Sequence, residues 1–309
     1  MARNYIEMRQ PRDIGDIISV YFEFFKLNLK NYLNIFVTYN GLFILGFIGV
    51  SYLLVTGFMG TIQMNENASI MGQGSDETFV YIGLGALGFF ILFVMTAILN
   101  YSLAASYMVV YDSEKTHKIE KTTVWALIKQ QAGNIFVFIV LMILIYVGIF
   151  ILGVILSIVP LVGTLAFYLL LMAYTAWMGL SFMCMLMEKK HVTDALGEGW
   201  HLLFKFFWKS VLVNLVVGIL VGLLLMLVLT VPAVLLGIYA YFSVESGAAL
   251  DTSPFSKILW TLGLAILMVV YSLNQSLQQF INGVLYFSLH EELYNDHARA
   301  KIDQIGSGE

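Results

Sequence analysis

Five stretches of this chain contain no Asp, Glu, Lys, Arg or His: 31–65, 78–111, 130–187, 210–244 and 258–289. Crossing a hydrocarbon core of ~30 Å takes about 20 helical residues, so four of these stretches suit one span each. The stretch 130–187 would be roughly 87 Å long as a single helix, far more than one crossing needs. It contains Ser157, Pro160 and Gly163, residues that favour a tight turn, and is expected to divide there. The six spans are then 35–58, 79–110, 135–158, 161–187, 211–236 and 258–289, with spans two, four and six long enough to project past the interface. None shows the alternation of a barrel strand, so the spans are expected to be helices. A hydrophobic content of 60%, a charged content of 12% and a mean hydropathy of +0.84 exclude an ordinary soluble domain.

The basic residues give the orientation. Arg3, Arg9, Arg12, Lys26 and Lys30 precede span one; Lys115, Lys118, Lys121 and Lys129 fall between spans two and three. Lys189, Lys190, Lys205 and Lys209 fall between spans four and five, and Arg299 and Lys301 follow span six. Of the sixteen Lys and Arg residues, only Lys257 lies on the other side. Basic loops are retained in the cytoplasm, so both termini are expected there, with 59–78 and 237–256 external. Those loops carry Glu66, Asp76, Glu77, Glu245 and Asp251. No cleavable signal peptide is expected, since the first thirty or so residues are polar and basic. The single cysteine, Cys184, excludes an intrachain disulfide.

Short motifs recur. Gly15, Asp16, Phe22, Phe24 and Phe25 match Gly197, Glu198, Phe204, Phe206 and Phe207 at an offset of 182, and each set leads into a span. Glu114, Lys115 and His117 match Glu188, Lys189 and His191 at an offset of 74, with His290, Glu291 and Glu292 in the comparable place after span six. The fold expected is an all-α membrane protein. Its six transmembrane helices are built from three repeats of an interfacial amphipathic helix plus a helical hairpin, at about 11–118, 119–192 and 193–297. Units of this size cannot bury their own faces, so 1–309 is expected to be a single polytopic membrane domain.

The segments before spans one and five read as amphipathic helices. Ile14, Ile17, Ile18, Tyr21, Phe22, Phe25 and Leu29 form one stripe, with Asp13 as N-cap; Leu196, Trp200, Leu203, Phe204 and Phe207 form the other. Aromatic faces opposite lysines suit the headgroup plane, where such helices anchor the next span or bind anionic lipid. Anchoring is the favoured reading.

No ionisable residue lies in the middle of a span, which argues against ion-coupled transport and against intramembrane hydrolysis. Span six instead carries Tyr271, Gln275, Gln278, Asn282 and Tyr286 at helical spacing, beside Asn274 and Gln279, and span two carries Asn100, Tyr107 and Tyr111. Amides facing lipid would cost several kcal/mol, so the stripe is expected to face inward, as interhelical packing or as the wall of a polar cavity. The candidate residues are Asn100, Tyr107, Tyr271, Gln275, Gln278 and Asn282. Glu114 with His117 and Glu188 with His191 have the i, i+3 spacing of dimetal bundles, to which His290 and Glu291 would add ligands, but charged membrane exits account for them more simply. Gly218 and Gly222 form a GxxxG that favours close packing, and Asn67 to Ser69 is a glycosylation pattern. Phosphate-binding loops, Rossmann glycine patterns, zinc-protease motifs and nucleophile elbows are absent, so neither a catalytic residue nor a cofactor is expected.

The run Pro11, Arg12, Asp13, Ile14, Gly15, Asp16 leading to Phe22 through Phe25 resembles the opening of the polytopic membrane domain associated with bacterial glycerophosphoryl diester phosphodiesterases. Ala195 to Trp200 and Phe206 to Lys209 resemble that domain's internal repeat. The resemblance implies the bacterial inner membrane. It does not imply phosphodiesterase activity, because the catalytic barrel of that enzyme takes about 250 residues and no segment here holds it. The leading expectation is a non-enzymatic scaffold or accessory subunit whose partners are membrane lipids and other membrane proteins, not nucleic acid. The alternatives are a permease subunit with a polar cavity between spans two and six, and an interfacial lipid enzyme built on converging Glu and His exits.

Overall fold

The structure is a computed structural model that describes residues 5–66, 75–245, 254–296, 299, 302 and 303. The glycosylation pattern at Asn67–Ser69, and Asp251, Arg3, His297 and Lys301, lie outside the described residues. Seven helices follow in order: α1 Ile14–Glu66, α2 Ser75–Glu114, α3 Lys121–Leu156, α4 Val162–Met187, α5 Val192–Lys205, α6 Phe207–Glu245 and α7 Pro254–Tyr294. All except α5 are long and apolar enough to cross a membrane, and among the described residues there is no strand. Large apolar side chains lie exposed along them, among them Leu42, Leu144, Met226 and Leu227, an arrangement that water penalises and lipid does not.

The break expected within 130–187 occurs. Helix α3 ends at Leu156, where Ser157 closes it by donating both its backbone N–H and its hydroxyl to the Gly153 carbonyl. Leu161 then adopts φ 63 and ψ −65, and Val162 N–H donates to the Pro160 carbonyl at 2.7 Å, a γ-turn of the strained, positive-φ kind. Gly163 is required here, since a Cβ would lie 1.7 Å from the Leu156 carbonyl oxygen.

Element ends differ from the sequence-based boundaries. The helices α1 and α6 continue through Glu66 and Glu245, and α2 and α7 begin at Ser75 and Pro254, so much of the expected external turns is helical. Pro232 lies within α6 without ending it. The segment before span one is not a separate helix: Ile14 to Glu66 is continuous, capped by Asp13, whose carboxylate accepts from Asp16 N–H at 2.9 Å. No Pro or Gly falls between Asp16 and Asn40 to interrupt it. The segment before span five, by contrast, is a distinct helix, α5, set off from α6 at Phe206 with φ −122 and ψ 41. Its direction is fixed by α4. A Cβ on Gly199 would lie 2.7 Å from Ser181 Cα, and Trp177 Nε1 donates to the Leu196 carbonyl at 3.0 Å. The face of α5 that is buried consists of Val192, Ala195, Gly199, Leu202 and Leu203. Of the expected stripe, Leu203 packs inward while Trp200 and Phe204 are exposed.

The chain forms two compact units, one of residues 1–35, 101–220 and 276–309, the other of 36–100 and 221–275. The first has an aromatic core from α1, α2 and α7, in which Phe24, Tyr32, Tyr107, Tyr111 and Phe280 meet edge to face at centroid distances of 4.6–6.3 Å. The second has an aliphatic core of Phe47, Val50 and Met268, backed by Leu54, Leu92, Leu264 and Val269. Lys115 and Asn295, one residue past α2 and α7, and Lys189, two residues past α4, are at φ 52, 54 and 52. Apart from Leu161 they are the only non-glycine residues with positive φ among those described.

Candidate functional site

In the second unit the polar residues of three helices close on one another. The Asn100 side-chain amide donates to the Ser272 hydroxyl at 2.7 Å, to the Ser272 carbonyl at 3.1 Å and to Gln275 Oε1 at 3.3 Å. Its carbonyl accepts from Asn40 Nδ2 at 2.9 Å. Ser272 and Gln275 share a face of α7 by i, i+3 spacing. Asn100, Ser272, Gln275 and Asn40 are all buried. Tyr271, one turn before Gln275, is 47% exposed and lies against Phe93 at 5.3 Å. Asn40 was the residue that sequence reasoning missed, although a lone amide in span one was a signal.

The remaining candidates lie in the first unit. Tyr107 is buried and donates to Asn28 Oδ1 at 2.9 Å. Asn282 is buried beside Gly179, where a Cβ would come within 2.0 Å of its amide nitrogen, and donates to the Thr175 carbonyl at 3.5 Å. Gln279, also buried, donates to the Gly179 carbonyl at 3.5 Å. The oxygens of Gln279, Asn282 and Ser181 have no hydrogen-bond partner. Gln278 is half-buried; a Cβ on Gly218 would lie 3.8 Å from its amide nitrogen, an ordinary contact, and one on Gly222 would meet nothing within 4 Å, so the GxxxG does not mark a close approach among the described residues.

The helix exits carry the charged chemistry of this unit. At the end of α4, Glu188 accepts from the Tyr286 hydroxyl at 2.8 Å, pairs with Lys190 at 2.6 Å and lies 3.6 Å from His290 Nε2. Lys190 also pairs with Glu198 at 3.4 Å, and Glu198 accepts from the Tyr294 hydroxyl at 2.6 Å. Tyr286, His290 and Tyr294 form a ladder on one face of α7. Burial works to raise the Glu198 carboxyl, but the Tyr294 hydroxyl, Lys190 and His201 together outweigh it and hold it below its ordinary value. Burial likewise works to lower Lys190, and its two carboxylates outweigh that and raise it.

At the end of α2 an extended N-terminal strap covers the exit, with Ile6 and Met8 buried. Ile6 N–H donates to the Tyr111 hydroxyl at 2.7 Å, and Arg12 N–H to the Ser288 hydroxyl at 3.0 Å. Asp112 pairs with Arg9 and with Lys115, both at 2.9 Å, and Lys115 donates to the Tyr5 hydroxyl at 2.8 Å. Burial pushes Tyr5 up to about 12, against the pull of Lys115. Burial disfavours the Lys115 charge, but the bonds to Tyr5 and Asp112 prevail and raise its pKa. The strap had no signal in the hydrophobic periodicity, being too short and too basic to register.

Of the six residues considered for a metal, Glu188 and His290 meet, while Glu114 and His191 are exposed, His117 is half-buried and Glu291 is buried. Among the described residues no three His, Cys, Asp or Glu side chains are arranged to hold a metal. No family model, curated protein or solved structure matches the chain. Helices and composition define a multi-pass α-helical membrane protein.

Proposed function

We propose that this protein is a non-enzymatic scaffold or accessory subunit of the bacterial inner membrane that engages lipid, with both termini in the cytoplasm. The observation that carries the proposal is the Asn40, Asn100, Ser272 and Gln275 cluster: Asn100 donates to Ser272 and Gln275 and accepts from Asn40, as in interhelical packing, with Asn40 Oδ1 left without a partner. The aromatic edge of α5 and the start of α6, with Trp200, Phe204 and Trp208 exposed beside Lys205 and Lys209, suits anchoring in the headgroup layer. The orientation rests on the one-sided lysines and arginines, and the inner membrane on the resemblance described above.

The threefold repeat belongs to the same reading. Lys115, Lys189 and Asn295 repeat one uncommon backbone state at the ends of the three returning helices. Aligning on them sets Tyr294 and Asn295, rather than His290 and Glu291, opposite Glu114 and Lys115.

A permease reading draws on the unpaired oxygens of Ser181, Gln279 and Asn282. Asn100→Leu in proteoliposomes separates the two. Under the scaffold reading the substitution removes packing hydrogen bonds, lowering stability by about 2 kcal/mol while leaving co-purifying lipid unchanged. A solute flux in the wild type that Asn100→Leu or Asn282→Leu abolishes would overturn it.

A further inference from the structure

Beside the α2 exit lies a groove of about 810 Å³, within the range of small-ligand sites, between α1 and the segment joining α2 to α3. Lys30, Lys118 and Lys121 line it, with Asn31 and Asn34 between them and one carboxylate, Glu120, at the rim. His117 and Thr122 complete the polar wall; Leu27, Ile35 and Ile119 form the apolar one. Asn31 holds the two sides together by donating to the Ile119 carbonyl at 3.2 Å. Three other lysines of this unit are paired with carboxylates: Lys115 with Asp112, Lys190 with Glu188 and Glu198, and Lys209 with Glu292. Lys30 and Lys118 are exposed and have no carboxylate within 4.0 Å among the described residues.

The depth of the groove along α1 is set by sequence. Lys30 is the last charged residue before the charge-free run that begins at 31, and Ile35 lies just over one turn further in. A ligand there meets ammonium groups at the headgroup level, where the charge-free run of α1 begins and the hydrocarbon layer lies immediately beneath. Free phosphate would use the first and gain nothing from the second, whereas a phospholipid uses both. Basic pockets at the ends of transmembrane helices on the cytoplasmic side bind anionic headgroups for this reason.

We propose that the groove lined by Lys30, Lys118 and Lys121 binds the phosphate of an anionic phospholipid from the same leaflet, with the half-buried Leu27 and the start of the charge-free run of α1 beside its glycerol and upper acyl chains. This rests on the lipid-engaging reading above and names its site and lipid class. Each lysine near an anionic headgroup contributes about fivefold in affinity, so losing two lowers it about 30-fold. The test reconstitutes the full chain in nanodiscs of phosphatidylcholine with 20% (about one lipid in five) phosphatidylglycerol, and counts retained lipid by native mass spectrometry. The wild type should retain phosphatidylglycerol preferentially, and K30Q/K118Q should lose that preference about 30-fold, while K30R/K118R keeps it. Preference should also fall as salt rises in the wild type, a readout that needs no variant.

Unchanged retention in K30Q/K118Q overturns the groove but leaves lipid engagement standing. A wild type with no preference for phosphatidylglycerol overturns both. Full displacement of the lipid by millimolar inorganic phosphate would assign the lysines to a free anion and overturn the lipid assignment.

Discussion

Helix α2 leaves its apolar run through Glu114 and Lys115, and α4 through Glu188 and Lys189, with both lysines at φ 52. Three residues further on the two exits part. At an offset of 74, Lys118 corresponds to Val192 and Lys121 to Ala195. Val192 and Ala195 are buried, and with Gly199 they seat α5 on α4, closing the exit over the Glu188, Lys190 and Glu198 ion pairs. Lys118 and Lys121 are exposed, and a groove lies where the second exit has a docked helix. One turn of backbone followed by apolar residues makes a packing seat; followed by lysines it makes an open cationic site. The cost of burying an unpaired ammonium is enough to decide between them.

The largest effect is expected from giving the second exit the residue of the first. Ala195→Lys places an ammonium at a fully buried position one turn from the tight Gly199–Ser181 contact, and should cost about 3–5 kcal/mol or release α5 outright. Protease cleavage within 188–206 and a change in Trp200 fluorescence would report release; an unchanged melting temperature would break the comparison.

A smaller effect is expected with pH. Glu198 is held below its ordinary pKa in the folded protein, so its contribution is present above the unfolded carboxylate value and is lost as pH falls through the folded one. Thermal melts in detergent from neutral to acid pH should show this loss in the wild type and a shallower slope in Glu198→Gln. Lys115 and Lys190 are both raised, so what they contribute is present at neutral pH and lost on the alkaline side, at both exits alike. An acid limb unaffected by Glu198→Gln would remove the electrostatic half of the comparison.

The smallest effect concerns the shared turn. Lys189 makes no ion pair among the described residues, so Lys189→Gly should relieve the left-handed backbone and stabilise by about 1 kcal/mol. Lys115→Gly should gain less, because it also takes away a partner of Asp112. Equal gains at both positions would show that the Asp112 pair contributes nothing, as many half-exposed pairs do not.

The number of spans, the helical class, the turn at Ser157 to Gly163 and the Asp13 cap were legible in the amino-acid sequence, because each depends on local causes: apolar length, turn residues, a carboxylate placed before a helix. Helical spacing also carried the inward placement of Gln275 and Asn282, and the burial of Asn100 follows from the cost of an amide in lipid. Tertiary structure decided the rest. Tyr271 lies at the margin of the stripe, where 3.6-residue periodicity does not separate a side chain facing the core from one beside it. Asn40 meets Asn100 across 60 residues of chain, a pairing that no local pattern encodes. Phe206 caps the end of α5 while Phe24, at the matching place in the same short motif, lies within α1; the docking of α5 on α4 accompanies the difference. The lysines of the groove were visible as a charge bias, but charge bias reports only which side of the membrane they occupy. That Lys30 and Lys118 share one groove without a carboxylate at hand depends on the side-by-side placement of α1 and the 115–120 segment, and that is a property of packing.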